Sequence, residues 1–229
     1  MIDANRVIDT VKLKFYNEYL YTNHVYDEGE SGFHKELTER VVTDFIDPLQ
    51  LPKDSVILDL GCGPGYFLDE MRKRGYNNLT GVTLSVGDIQ LCKSKGHTIK
   101  QYDLSFLPQS DGYHDESVDF IFLRHALEHS PYPIFSLMEY NRVLKQGGKL
   151  YIEVPAPNCA RNHEYNINHY SILTDKMLCA LLLRTGFDID IFNNFKFTLN
   201  MPDSDNNVSS VEEHFYCVLA TKIRPIDVK

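Results

Sequence analysis

No C-x-x-C pair, no dense run of lysine and arginine and no uncharged stretch of membrane-spanning length occurs in the 229 residues. The five cysteines, Cys62, Cys92, Cys159, Cys179 and Cys217, are scattered and odd in number. A disulfide framework and a zinc ribbon are therefore not expected, and a reducing, cytoplasmic setting is. Lysine and arginine total 23 against 32 acids, so the net charge is −9 and the sequence pI is about 5.4. A surface this acidic repels phosphate backbones, which argues against a nucleic-acid partner. The first residues, MIDANRVIDTVKLKF, carry charge throughout, so neither a secretory signal nor a membrane partner is expected.

What is present is ordinary globular composition, 43% apolar and 24% charged, enough for one generous α/β domain or two small ones. Apolar residues from Val7 to Tyr21 recur at helical spacing, and a second helix is expected over His34–Ile46, ended by Asp47-Pro48. Strand and helix then alternate. Strands are expected at Val56–Leu60, Leu79–Leu84, Thr98–Tyr102, Val118–Leu123 and KLYIEVP, with helices at Pro64–Arg74, Val86–Lys95, Pro133–Leu144 and Thr174–Thr185, the last capped by Thr174. FDIDIF and HFYCVLAT supply two more strands, the second with the alternation of an antiparallel partner, and NMPDSDNNVSSVEE between them reads as a mobile surface loop. The pattern predicts a Rossmann-like, doubly wound, seven-stranded and mostly parallel sheet with an antiparallel last strand.

In such a sheet, ligands sit beyond the carboxyl ends of the strands where strand order reverses. The first strand–helix turn, VILDLGCGPGYFL, carries Gly61, Gly63 and Gly65 at alternate positions after Asp59. Glycine lets the backbone turn tightly and approach a ligand with no Cβ in the way. This D-x-G-x-G-x-G stretch resembles motif I of the class I S-adenosylmethionine-dependent methyltransferases. The resemblance implies S-adenosyl-L-methionine as cofactor, with Asp59 near its amino-acid end and the loop Gly61, Cys62, Gly63 and Gly65 under the methionine. Where that family has an acid for the ribose hydroxyls, this chain has Thr83, followed by Leu84; GVTLS resembles a variant seen in cyclopropane fatty-acid synthases. Asp88 and Gln90 are alternatives for the ribose. The resemblance also implies that Asp103 and the Leu104 amide meet the adenine, with Phe106 nearby.

The segment RHALEH, running on to the LKQGG turn and the fifth strand, resembles the H-x-L-E-H region of a small-molecule branch of the same family. The likeness covers about Ser55 to Thr221, and implies a methyltransferase domain over 51–229 with a helical lid over 1–50. Histidine suits the removal of a hydroxyl proton. His125 and His129 stand four apart after the fourth strand, where a helical turn would bring both to one side, and are the candidate catalytic bases. Tyr26, His163 and His169 are the candidate acceptor contacts. Arg124 is grouped with the cofactor contacts and, with Arg161, is a candidate to receive an acceptor's carboxylate or phosphate. Glu128 reads as a solvated helix residue, with orientation of a histidine as its alternative. His125, Glu128, His129, His163, Glu164 and His169 form a pool of potential ligands, but no spacing among them is diagnostic and no metal is expected. The function expected is methylation of a small polar metabolite at a hydroxyl, with N-methylation of a small amine or amide, or a non-catalytic cofactor-binding partner subunit, as the alternatives and a homodimer left open.

Overall fold

A computed structural model describes residue 25 and residues 27–202 and 208–226. The expected Val7–Tyr21 helix and Tyr26 lie outside the described residues. The apolar runs form strands β1 (Ile57–Leu60), β2 (Leu79–Val82), β3 (Ile99–Lys100), β4 (Val118–Arg124), β5 (Leu144–Pro155), β6 (Phe187–Pro202) and β7 (Val208–Lys222). They make one sheet in the order β3-β2-β1-β4-β5-β7-β6. The first five pair in parallel, and β7 runs antiparallel to both β5 and β6. β1 is flanked by β2 on one side and β4 on the other, so the chain reverses direction across the sheet there. The crevice beyond the ends of β1 and β4 is the consequence.

Alternate side chains of a strand face opposite ways, so each central strand feeds two cores. On one face Leu58, Leu60, Ile121, Leu123, Leu150 and Ile152 pack beneath helices α4 (Pro133–Val143) and α5 (Asp175–Arg184). On the other, Ile57, Phe120, Phe122 and Tyr151 meet Phe67, Leu68 and Met71 of α2 (Tyr66–Lys73). The Phe122 ring lies parallel between Phe67, at 3.9 Å between centroids, and Tyr151, at 5.1 Å. Phe45 continues the stack onto Tyr151 at 5.4 Å. Phe45 belongs to a π-helical turn, Val42–Ile46, that extends α1 (Gly32–Val41) and buries Val42 and Ile46 in the same layer. Val42, Phe45 and Ile46 thus join the sheet's core from this segment.

The helix boundaries have local chemical causes. Ser31 caps α1 by accepting from the His34 amide, and Ser85 caps α3 (Val86–Ser94) by accepting from the Asp88 amide. The expected Thr174 cap is present on α5, accepting from Met177.

One expectation is corrected. The polar stretch after Leu199 is mostly strand: β6 and β7 form a long hairpin whose register runs from Phe187↔Lys222 to Pro202↔Val208. Once the apolar root of an antiparallel pair is fixed, each further residue satisfies a backbone donor and acceptor whatever its side chain. Phe197 and Phe215 pack at 5.5 Å across the pair, and Phe197 also meets Phe33 of α1 at 6.3 Å.

Phe122→Ala removes the middle of the stacked face. It is expected to destabilise the fold by ~3–5 kcal/mol, the usual cost of truncating a buried aromatic. Phe195→Ala, whose ring is half exposed, should cost much less. Urea unfolding of both variants checks this ranking, and equal midpoints would contradict it.

Candidate active site

β1 leaves the sheet through three glycines with positive φ: +75° at Gly61, +46° at Gly63 and +83° at Gly65. Close approach accompanies the backbone requirement. A Cβ on Gly61 would stand 2.5 Å from the Ala126 methyl, and one on Gly65 would stand 2.9 Å from Cys92 Sγ. Asp59 is buried, and its Oδ2 has no hydrogen-bond partner among the described residues. Burial pushes its carboxyl well above the usual carboxylate range. A buried acceptor with no donor beside a glycine turn suits a ligand that brings its own donor. Cys62 is buried behind the turn, against Gly81.

A strap of residues 27–31 crosses this turn. Asp27 accepts from Ser85 Oγ at 2.7 Å and from the Gly87 amide at 2.9 Å, at the start of α3. Asp88 accepts from the amides of Glu28 at 3.0 Å and Gly29 at 3.2 Å. Glu30 pairs with Lys95 at 3.1 Å, and Tyr66 Oη is bonded to the Ser31 amide. The strap lays the Glu28 carboxylate on the space over Gly63 that a Cβ would fill. Burial raises the Glu28 pKa, Asp88 adds to it, and His125, Arg124 and His129 oppose it.

Beside the turn lies a cavity of about 130 Å³, lined among others by Glu28, Gly61, Gly63, Thr83, Leu104 and His129. Leu84, Asp88 and His125 also reach it. Thr83 Oγ1 accepts from the Ser85 amide at 3.2 Å. Asp88, an alternative for the ribose, has its carboxylate engaged by the strap, and Gln90 is exposed. Asp103 caps its own turn, accepting from the Ser105 amide at 2.8 Å.

The histidines are arranged differently from the expectation. His125 has φ +50°, and Leu127–His129 is a 3₁₀ turn, so the two imidazoles do not share a helix face. A bend at the end of β4 points His125 back at the sheet. Its Nε2 lies 3.0 Å from Glu153 Oε1 and its Nδ1 3.5 Å from Glu128 Oε1. Burial alone would lower its pKa, but the two carboxylates outweigh that and hold it at about 9. His125 is therefore protonated at neutral pH and has no lone pair to take a proton, which removes it as a base. Arg124 Nε meets the same Glu153 Oε1 at 2.7 Å. Burial would raise Glu153, yet Arg124 and His125 bring it down to about 2. Arg124 is thus paired with Glu153, and Arg161 Nε lies 3.2 Å from Glu213 Oε1.

Glu128 is 1% exposed, not solvated. Its backbone oxygen accepts from Tyr170 at 2.7 Å and Ser171 at 3.0 Å, which ties the loop after β5 to the turn after β4. That loop brings His169 against His129, with ring centroids 4.9 Å apart, and His163 stacks on His169 at 5.5 Å. His163 is anchored by Glu213 at 3.3 Å. His129, His163 and His169 are therefore brought together, with Glu128 beside them. Sequence reasoning missed Glu28, Glu153 and Glu213. An acid inside the apolar KLYIEVP run was a usable signal for Glu153; nothing local marks the other two.

The family model for a methyltransferase domain matches residues 33–190. Among curated proteins, the chain is 38% identical over 80 residues to the human (Homo sapiens) EEF1A lysine methyltransferase 2, covering 34% of each chain. It is 28% identical over 152 residues to the ubiquinone biosynthesis O-methyltransferase of Hydrogenovibrio crunogenus, covering 64% of this chain and 61% of that one. The chain thus spans less than two thirds of either relative. A solved structure of a SAM-dependent methyltransferase from Archaeoglobus fulgidus shares the fold with TM-score 0.63 at 17% identity, covering 91% of this chain and 100% of that one. Among the described residues no helix is long and apolar enough to cross a membrane.

Two substitutions test the site. Gly63→Val puts a branched side chain at φ +46°, on the strap and in the crevice, and is expected to abolish S-adenosylhomocysteine binding measured by calorimetry. Undiminished affinity in a folded variant would contradict the placement. Glu153→Gln leaves Arg124 and His125 buried with one partner fewer. It should cost ~3–5 kcal/mol in chemical unfolding, the usual cost of breaking a buried pair; a loss below ~1 kcal/mol would show that the pairing is not structural.

Proposed function

The chain belongs to the methyltransferase-domain family, and from that premise we propose that it transfers a methyl group from S-adenosylmethionine to a hydroxyl of a small polar metabolite. The observation that carries the hydroxyl reading is His129, which lines the glycine-turn cavity and packs against His169, itself stacked on His163. An amine need only be neutral to accept a methyl group, whereas a hydroxyl gains from a group that draws its proton away.

The residues present fit the cofactor. Asp59 Oδ2 is buried and unpartnered beside the loop, and suits the cofactor's ammonium. With Glu28 moved off Gly63, the Gly61–Gly63 turn would give its methionine end close access to backbone. Thr83 offers the ribose a neutral hydroxyl, and Leu104 lines the side where the adenine is expected. When bound, S-adenosylmethionine supplies an activated methyl group on a sulfonium, so positioning provides much of the acceleration.

His129 faces the acceptor. Its Nδ1 lies 2.9 Å from the Asn168 carbonyl, which accepts only, so in the neutral ring Nδ1 carries the hydrogen and Nε2 the lone pair. That lone pair is suited to drawing the hydroxyl proton away as the methyl group arrives. His163 and His169 shape the acceptor pocket, and the net charge of −9 favours small acceptors over nucleic acid. Sugars, nucleotide-linked sugars, surface-polysaccharide precursors and hydroxylated secondary metabolites form the class to screen.

Labelled S-adenosylmethionine with a panel of hydroxylated and amino metabolites tests this. Transfer to a hydroxyl is expected. On that acceptor, His129→Ala should lower kcat by about 10²–10⁴-fold and leave S-adenosylhomocysteine affinity nearly intact. Transfer only to amines, or full kcat in the variant, would overturn the reading. Thr83→Val should weaken cofactor binding by ~0.5–1.5 kcal/mol, one neutral hydrogen bond; unchanged affinity would take the ribose contact away from Thr83.

A further inference from the structure

Two imidazoles behind the cavity hold their protons in the same way. His129 Nδ1 faces the Asn168 carbonyl at 2.9 Å, and His169 Nδ1 faces the His163 carbonyl at 3.0 Å. In a neutral imidazole such a carbonyl, which only accepts, places the hydrogen on Nδ1 and the lone pair on Nε2. This is how a metal-ligating histidine is oriented and its tautomer selected. Between the two stands Glu128, 1% exposed, with Oε1 toward His125 and Oε2 unpartnered among the described residues. One ligand atom from each of Glu128, His129 and His169 lies within 4.8 Å of the others.

His169 Nε2 also meets the Asn166 side-chain amide at 3.3 Å, a contact at the rim that an incoming cation would replace.

We propose that Glu128, His129 and His169 bind a divalent first-row transition cation at the acceptor end of the cavity. Two imidazole nitrogens and one carboxylate oxygen suit zinc, manganese, cobalt or ferrous iron. Magnesium and calcium call for shells of oxygen, which this group does not supply. Three protein ligands leave a coordination position open, and His129, with its neighbours Asn168 and Tyr170, lines the cavity. The proposal rests on the methyl-transfer reading only for its purpose: a hydroxyl bound at the open position has its pKa lowered, and its proton leaves to water. With the cation bound, the His129 lone pair is coordinated, so the hydroxyl proton goes to water in place of His129.

The test uses the whole chain, stripped by chelator, and Co²⁺ alone as probe, followed by visible absorption and calorimetry. A single bound equivalent with ligand-field bands is expected, displaced by Zn²⁺. His169→Gln and Glu128→Gln should each weaken binding by at least about tenfold, while His114→Gln, at an exposed histidine, should leave it unchanged. Circular dichroism checks folding, and if Glu128→Gln does not fold, His169→Gln decides. Absence of stoichiometric Co²⁺ binding, or equal affinity in His169→Gln, overturns the proposal. Methyl transfer that persists in chelator without Co²⁺ binding would sink the cation site and leave the methyltransferase reading standing. Co²⁺ binding with no transfer to any acceptor would do the reverse.

Discussion

The site depends on a buried chain of charges at the ends of β4 and β5. Arg124 and Glu153 are register partners on adjacent parallel strands, so the sheet itself sets cation beside anion. His125 and Glu128 extend the chain by one link each. Buried charges are tolerated only when each is paired, because desolvating an unpaired one costs several kcal/mol. That constraint reaches beyond the four residues. It holds His125 in a left-handed conformation, bends the chain after β4, and places Glu128 where its carbonyl receives the loop after β5. His129, His163 and His169 converge because that loop is tied down.

The opposite face of the sheet supplies rigidity. Phe45, Tyr151, Phe122 and Phe67 form one row of rings from the π-helical turn to α2. The glycine turn is the segment between β1 and α2, so its path is fixed by a strand and a helix that are each clamped by packed rings. Flexibility in sequence, three glycines in five residues, becomes a single conformation through its surroundings.

Much of this was legible in the sequence where local causes dominate. Apolar runs closed by glycine gave the strand–helix alternation, Thr174 gave a cap, and Asp59 with Gly61, Gly63 and Gly65 marked the crevice. Pairing between distant residues was not legible. Residues 200–202 and 208–213 looked like loop because polarity was read in place of a ladder whose partner lies across the hairpin. Glu128 looked solvated because a helix was assumed where His125 breaks it. His125 looked like a base because its two carboxylate partners come from different elements. Glu28 was invisible for a related reason: the strap acts on a turn more than thirty residues away, through contacts that no local pattern announces.

The strap makes binding at this crevice an exchange of tenants rather than the filling of a vacancy. Glu28 and Asp27 already occupy the positive ends and close approaches that an arriving anion would seek, so free phosphates and carboxylates meet a site already satisfied from within. A ligand that carries both a cation and an anion differs, since it can give Glu28 a new partner while taking its place. A ligand that is to touch Gly63 has to move Glu28 first, so its apparent affinity carries the cost of breaking the strap's own contacts.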